Sequence, residues 1–220
     1  MSAALVATDL YRFYHAGDDE TLALRGVSLS VEDGELVAVV GPSGSGKSTL
    51  LACLAGLDEP DGGSVYVEDV RLSRRPEAER TKLRARRIGM LFQSANLIEH
   101  LNISANISLA QRVAGRVDHA RRRELLDRLG IASRATAYPS ELSGGETARA
   151  GLAVALANDP AVVLADEPTG ELDSASAERV AWLLREATQH GAAVVVVTHN
   201  PQVGALADRA LMLDDGRAVA

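Results

Sequence analysis

The nine residues Gly41-Pro42-Ser43-Gly44-Ser45-Gly46-Lys47-Ser48-Thr49 constrain this chain more than any other stretch. Within them, Gly41 to Ser48 fits the pattern G-x-x-x-x-G-K-[ST]. The apolar run Leu36-Val37-Ala38-Val39-Val40 stands before it and reads as a buried strand. The run from Lys47 to Ala55 reads as a helix stopped at Gly56. A strand, a glycine-rich turn and a helix start, in that order, suit a backbone cradle for phosphate. Gly41, Gly44 and Gly46 remove side chains where backbone N–H groups must curl around an anion. The free N–H groups and the positive dipole end of the next helix favour negative charge. Gly41, Ser43, Gly44, Ser45, Gly46, Lys47, Ser48 and Thr49 are therefore the candidate residues for binding a nucleotide's phosphates. Lys47 can reach the β- and γ-phosphates, and the Ser48 hydroxyl suits Mg²⁺. A Gly/Ser turn with a surface lysine is the competing reading; the flanking strand and helix argue against it.

Two further apolar runs share this character. Ala161 to Ala165 is closed by Asp166-Glu167-Pro168, and Ala192 to Val197 ends at Thr198-His199. Ser174 to His190 reads as a helix between them, with Ser174 as its N-cap. Apolar strands alternating with helices predict a parallel sheet covered on both faces. Near the N-terminus, Leu5–Tyr14 and Leu22–Val31 read as strands about a polar turn at His15 to Glu20. The turn Glu32-Asp33-Gly34-Glu35 leads on to Leu36–Val40, and these early strands are expected to form an antiparallel sheet beside the nucleotide. Ser64 to Leu72 is a further strand, and Leu211 to Val219 a hairpin over Asp214-Asp215-Gly216. Ile88 to Phe92 is a short strand ending at Gln93. From Ser94 to Asn158 the pattern is mostly helical, broken near Gly115, Gly130 and Pro139, which reads as a helical lobe inserted between core strands.

Composition limits the partners. The formal net charge of −7 argues against a nucleic-acid-binding protein, which would carry a basic footprint. Cys53 is the only cysteine, so no internal disulfide or cysteine-based zinc site can form, and its helical neighbours Leu50, Leu51 and Leu54 mark it as buried. No apolar run reaches the length of a membrane span and no signal sequence opens the chain, so it is expected on the reducing, ATP-containing side of a membrane. The basic runs Arg71 to Arg87 and Arg121 to Arg123 fit either an anionic partner or a solvated helix face, and the second reading is preferred. Tyr11, Phe13 and Tyr14 stand together in a chain with 3% aromatics. Either all three pack in the core or one stacks on adenine, and Tyr14 is the candidate.

Asp166 and Glu167 end a strand where parallel sheets place their ligands. The aspartate can hold Mg²⁺, and the glutamate can deprotonate an attacking water. His199 ends the next strand, within reach of a γ-phosphate, and Gln93 is a further candidate ligand for Mg²⁺ or water. Leu142-Ser143-Gly144-Gly145-Glu146 is a second glycine-rich helix start, hence a second anion site. Two such loops in different lobes suggest a composite site shared by two copies.

This ordered set resembles the ATP-binding subunit of an ABC transporter: the Gly41–Thr49 loop, Gln93, Leu142 to Glu146, Val162 to Glu167, Gly170-Glu171-Leu172-Asp173 and His199. The resemblance covers nearly the whole chain. It implies an α/β fold with a P-loop NTPase core, a mostly parallel sheet with helices on both faces, an antiparallel β lobe and a helical lobe at about 94–158, all within one ATP-binding domain over 1–220. It implies a head-to-tail homodimer holding two ATP–Mg²⁺, each between the Gly41 loop of one copy and Ser143, Gly144 and Gly145 of the other. Asp173 is then at the seam, Glu167 the catalytic base and His199 the γ-phosphate sensor. The partner implied is an integral membrane permease, with the chain peripheral on its cytoplasmic face and docking through Asn96 to Asn106. Gly17-Asp18-Asp19-Glu20, Leu57-Asp58, Asn96-Leu97 to Leu109 and Ala165 to Gly170 are similar to the lipoprotein-release and macrolide-export type. Where the family carries glutamines and an arginine, this chain has Glu146, Thr147, Ala148 and Val154, and Glu146 is expected to repel the triphosphate held by the other copy. The alternative is an ATP-driven regulator of a membrane partner in cell-division or cell-wall control. A DNA-maintenance ATPase would need sustained heptads between Gln93 and Leu142, where there are none.

Overall fold

The computed structural model describes residues 3–16, 19–93 and 96–219. In chain order the elements are β1 (Ala3–Ala16), β2 (Asp19–Glu32), β3 (Leu36–Val40), α1 (Lys47–Leu54), β4 (Gly62–Val67), β5 (Val70–Arg71), α2 (Glu77–Arg87), β6 (Ile88–Leu91), α3 (Ile103–Val113), α4 (His119–Arg128), α5 (Gly144–Ala155), β7 (Val162–Asp166), α6 (Ser174–Gln189), β8 (Ala193–Val197), α7 (Pro201–Ala205), β9 (Arg209–Asp214) and β10 (Arg217–Val219). One sheet has the order β2-β1-β4-β5 and is antiparallel. The other has the order β10-β9-β3-β8-β7-β6 and is parallel except for the β9–β10 hairpin.

The central strands are apolar on both faces because both faces are covered. Leu36, Ala38, Val163, Ala165, Val194 and Val196 face the core shared with α3 to α6. Val37, Val39, Val162, Leu164, Val195 and Val197 face the core shared with α1 and the antiparallel sheet. That split follows the two-residue period of a strand. Fully burying each valine or leucine stabilises by roughly 1.5–3 kcal/mol, so the strands bearing the polar residues at their ends are firmly set. Cys53 lies in the second core, and burial pushes its thiol up to about 12. Among the described residues no helix is long and apolar enough to cross a membrane.

Several boundaries differ from expectation. The turn Glu32 to Glu35 does not fold β3 back onto β2; β3 crosses to the other sheet and pairs with β8 and β9. The reason is burial: an all-apolar strand requires cover on both sides, which the edge of the antiparallel sheet does not offer. Ser64 to Leu72 is two strands, β4 and β5, reversed at Glu68 and Asp69, whose φ values of 46° and 63° make a tight hairpin turn. Asp173 rather than Ser174 caps α6, its carboxylate accepting from Ser176 N–H at 3.0 Å. The polar turn expected at His15 to Glu20 has Gly17 and Asp18 outside the described residues. The first basic run is internally paired, Arg75 with Glu79, Arg80 with Glu59 and Glu77, and Arg87 with Glu68.

Candidate active site

Strands β3, β8 and β7 are neighbours, run parallel, and end at one edge of the sheet. Thr198 N–H donates to Val39 O at 3.2 Å, and Glu167 N–H donates to Val197 O at 2.9 Å. Topology alone therefore sets the phosphate loop, Asp166-Glu167 and Thr198-His199 side by side.

The loop is pressed between backbones. Gly46, at φ 98°, is the N-cap of α1, and a Cβ there would come within 2.4 Å of Ala23 O. Gly216 N–H donates to Ser45 O at 3.1 Å, which pins the β9–β10 turn beneath the loop. Because Gly46 has no side chain, α1 begins without a side-chain cap, and its first turn holds no acid. Its leading N–H groups are left for an external acceptor. Lys47 Nζ donates to Gly41 O at 2.9 Å and Pro42 O at 2.8 Å, so the ammonium lies across the loop. Gly44, Gly46, Lys47, Ser48 and Thr49 line a cleft of about 290 Å³ whose opposite wall includes Tyr14. Ser43 is exposed at the loop tip, and neither it nor Gly41 lines this cleft. Ser45 is turned inward: its N–H donates to Pro42 O at 3.2 Å, and its buried hydroxyl has no partner among the described residues.

Burial pushes the Asp166 carboxyl above its ordinary value; a hydrogen bond with Ser48 opposes this, Glu167 adds to it and Lys47 opposes it. A desolvated carboxylate beside a serine hydroxyl is relieved by a divalent cation. Among the described residues no three His, Cys, Asp or Glu side chains cluster as a metal site. One carboxylate beside one hydroxyl suits Mg²⁺, which keeps waters and phosphate oxygens and takes only one or two protein ligands. Glu167 adopts φ 45°, an uncommon conformation that costs about 1–3 kcal/mol and clusters at functional sites. Its Oε1 lies 2.8 Å from His199 Nδ1, and His199 N–H donates to Oε2 at 3.4 Å. That contact uses Nδ1 and leaves Nε2 as the ring nitrogen that Glu167 does not engage. Gln93 is placed differently. Its Nε2 donates to Glu171 Oε1 at 3.3 Å, in a second cleft shared with Gly144, Thr147 and Gly170.

The second glycine-rich turn has its own architecture. Ser143 caps α5 and closes a capping box: its Oγ accepts from Glu146 N–H at 3.3 Å, and Glu146 Oε2 accepts from Ser143 N–H at 2.9 Å. Arg134 Nε donates to the other Glu146 oxygen at 2.8 Å. The Ser143 N–H bond first, and Arg134 second, hold the Glu146 carboxyl down at about 2. Its carboxylate is turned back onto its own turn, which revises the repulsion expected from the sequence. Gly145 packs on α6, where a Cβ would fall 2.5 Å from Ser176 Oγ. Ser143, Gly144 and Gly145 thus form one surface with the Asp173 turn.

Around Tyr14 the alternative in which all three aromatics pack in the core does not hold. Tyr11 and Tyr14 are exposed and Phe13 half-buried. Tyr14 OH donates to Asp58 Oδ2 at 2.7 Å, and the Arg12 guanidinium lies 4.7 Å from its ring centre. Sequence reasoning missed Arg12 and Arg134, and it named Asp58 only within the family resemblance, not as the partner of Tyr14. Asp58 is 44 residues from Tyr14, and no local pattern joins them. The capping box did have a signal, the S-x-x-E spacing from Ser143 to Glu146.

Residues 24–170 match the protein family described as ABC transporter. Over its full length the chain is 40% identical to the macrolide export ATP-binding/permease protein MacB of Escherichia coli (strain K12), of which it covers 34%. It therefore spans about a third of the length of the MacB relatives it matches. It is 41% identical, again over its full length, to an uncharacterized ABC transporter ATP-binding protein of Thermotoga maritima, covering 91% of that protein. Among solved structures, the dimeric post-hydrolysis state of the ATP-binding cassette MJ0796, bound to ADP and Pi, matches with a TM-score of 0.89 at 36% identity, covering 98% of this chain and 97% of that one. Identity over the whole chain, the shared fold and the convergence of the loop, Asp166-Glu167 and His199 agree: this chain belongs to the ABC transporter family and has the fold of its ATP-binding cassettes.

Proposed function

We infer that this chain binds ATP with Mg²⁺ and hydrolyses it, two copies acting head to tail, to drive an integral membrane permease. The observation that carries this reading is the uncapped start of α1 beside Asp166, Glu167 and His199 at one sheet edge. ATP–Mg²⁺, when bound, supplies the γ-phosphoryl group and the cation that neutralises its charge. Backbone N–H groups of Gly44, Gly46, Ser48 and Thr49 hold the phosphates, with Gly41, Ser43 and Ser45 shaping the loop that presents them. Lys47 exchanges the carbonyls of Gly41 and Pro42 for phosphate oxygens. Ser48 and Asp166 would hold the cation, and Gln93 would join them only on leaving its contact with Glu171. Glu167 accepts the proton of the attacking water while its bond to His199 fixes its carboxylate. Tyr14 stacks on the base. Ser143, Gly144 and Gly145 of a second copy close over the γ-phosphate, with Asp173 at the seam.

The domain spans 1–220, its helical lobe running from about 94 to 158 around α3, α4 and α5. A groove of about 420 Å³ between that lobe and the core is lined by Leu57, Met90, Phe92, Ile98, Leu109 and Val113 among others, and supports docking of a permease segment there. Asn106 braces one wall: its amide bonds Ile98 N–H at 2.7 Å and the carbonyls of Ile98, Leu101 and Asn102. The permease partner is drawn from MacB, whose name joins ATP-binding and permease functions. In this reading the chain works on the cytoplasmic face of the membrane through that partner. The test is phosphate release by the purified chain, followed by capture from detergent-solubilised membranes. ATP-dependent phosphate release and a co-purified integral membrane protein are expected. Glu99, exposed beside the groove, should weaken that capture on charge reversal without altering ATP affinity. Absence of ATP binding would remove the reading, and capture insensitive to changes across 96–106 would move the docking face.

A further inference from the structure

Arg12, Asp58 and Asp61 have no part in the chemistry above, yet Arg12 and Asp58 meet at Tyr14 and Asp61 holds Arg12 from behind. Arg12 grips Asp58 with two bonds, Nε to Oδ2 and Nη2 to Oδ1, both 2.8 Å. The same Oδ2 accepts from Tyr14 OH at 2.7 Å. Asp61 Oδ2 accepts from Arg12 Nη1 at 3.0 Å and from Phe13 N–H at 2.8 Å. Arg12 and Tyr14 sit two apart on β1 and so share one face of the strand, which lets the guanidinium cover one side of the ring at 4.7 Å. Tyr14 lines the phosphate-loop cleft and Arg12 does not. Asp58 is itself tied to α1, its N–H donating to Ala52 O at 3.1 Å. Through Asp58, Tyr14 is thereby tied to the far half of the eight-residue helix that the phosphate loop opens, and Thr49 in the first turn of that helix also meets its hydroxyl. Arg12 and Asp58 are each about one-fifth exposed, so their attraction is only partly screened.

We propose that Asp58, braced by Arg12, is a positioning residue that sets the Tyr14 ring at a fixed height above the phosphate loop and so matches the chain to a nucleotide, base and triphosphate together. This rests on reading the cleft as the ATP site. Asp58 touches no nucleotide; it acts through the tyrosine hydroxyl. Its removal must therefore weaken ligands that carry a base and spare those that do not.

The experiment is calorimetric titration with ATP–Mg²⁺ and with inorganic tripolyphosphate–Mg²⁺, on the wild-type chain and on Tyr14→Phe, Asp58→Ala, Asp58→Asn and the Tyr14→Phe/Asp58→Ala double variant. Tyr14→Phe keeps the ring and removes only the handle. It and Asp58→Ala are each expected to weaken ATP by about five- to tenfold, the scale of one ordinary net hydrogen bond in a partly exposed setting, with tripolyphosphate affinity held. The double variant should lose no more than Asp58→Ala alone, because both changes break one contact. Asp58→Asn keeps an acceptor for the hydroxyl without the charge for Arg12, and should fall between. Equal losses for both ligands would make Asp58 a support of α1 and overturn the proposal, as would full ATP affinity in Tyr14→Phe and Asp58→Ala. If Asp58→Ala fails to fold, Tyr14→Phe and Asp58→Asn decide the matter by the same ratio. A wild-type chain that binds tripolyphosphate and ATP equally overturns this proposal alone, whereas one that binds neither overturns the ATP-site reading beneath it.

Discussion

The starts of α1 and α5 look alike in sequence, each a glycine-rich turn opening a helix, and they are built on opposite principles. At α1 the N-cap is Gly46, no side chain accepts from the first turn, and the first helical residue is Lys47, a cation at the positive end of a dipole. At α5 the N-cap is Ser143, the box is closed by Glu146, and Arg134 neutralises the carboxylate. The first turn is left electrically incomplete and an anion completes it. The second is complete in the single chain. What α5 retains for a ligand is small: the N–H groups of Gly144 and Gly145 and the proton of the Ser143 hydroxyl, whose oxygen already accepts from Glu146. The difference assigns the order of events. In the proposed reading, the loop before α1 would capture the triphosphate, and the turn before α5 would add to a triphosphate already held.

The widest break in this comparison comes from the strand ends beside α1. Glu167→Gln keeps the shape and the contact with His199 but cannot take a proton. Turnover should fall by about 10²–10⁴-fold, the range of general-base catalysis, with ATP affinity kept. Light scattering in ATP–Mg²⁺ should then show a persistent pair of copies. A variant that binds ATP yet stays monomeric contradicts a shared site. Lys47→Ala comes next. It removes the cation lying across the loop, and ATP affinity should fall by about ten- to a hundredfold, since hydrogen bonds to charged groups are among the stronger ones. Isothermal titration reads it directly, and unchanged affinity would show that backbone N–H groups alone hold the phosphates.

Legibility in the sequence followed the same division. The parallel core was readable because β3, β7 and β8 are uninterrupted apolar runs, each closed by the polar residues that matter. The phosphate loop was readable because its geometry demands glycines at fixed spacing. The pairing of β3 was not, because the turn at Glu32 to Glu35 is the same whether the next strand folds back or crosses to another sheet. Nor was the surround of Tyr14, where Asp58 and Asp61 arrive from beyond α1. Glu146 was seen as a bare charge, since only coordinates show that Arg134 and Ser143 N–H already engage it.

Ser143→Ala sharpens the comparison from the α5 side. Loss of an N-cap side chain costs about 1 kcal/mol, so the single chain should melt at a lower temperature, with ATP affinity of the monomer unchanged. Pairing in ATP should weaken as well, because in the proposed pair the same hydroxyl proton would face the second copy's nucleotide. Ser143→Thr keeps both functions and should restore both readouts. Weakened ATP binding by the isolated monomer would mean that the two helix starts are not independent.

The smallest effect is expected at Glu146, where the sequence suggests like-charge repulsion and the structure shows a satisfied carboxylate. Gln is as good a box-closing residue as Glu, so Glu146→Gln should leave α5 capped and lose only the charge toward Arg134. Exposed ion pairs contribute little, so ATP-driven pairing in a Glu167→Gln background should change by no more than about threefold at low salt. The pH dependence isolates the charge. Folding lowers the Glu146 carboxyl from its ordinary 4.5 to about 2, so its charged form stabilises the fold fully above about pH 4.5 and is lost as pH falls toward 2. The difference in melting temperature between wild type and Glu146→Gln should therefore be flat from pH 7 to about 4.5 and narrow below it. Added salt should narrow it at every pH, since Arg134 and Glu146 are both accessible to ions. A difference that persists undiminished at pH 3 would locate the gain in hydrogen-bond geometry rather than charge, and a several-fold tightening of pairing would show that the carboxylate leaves Arg134 when two copies close.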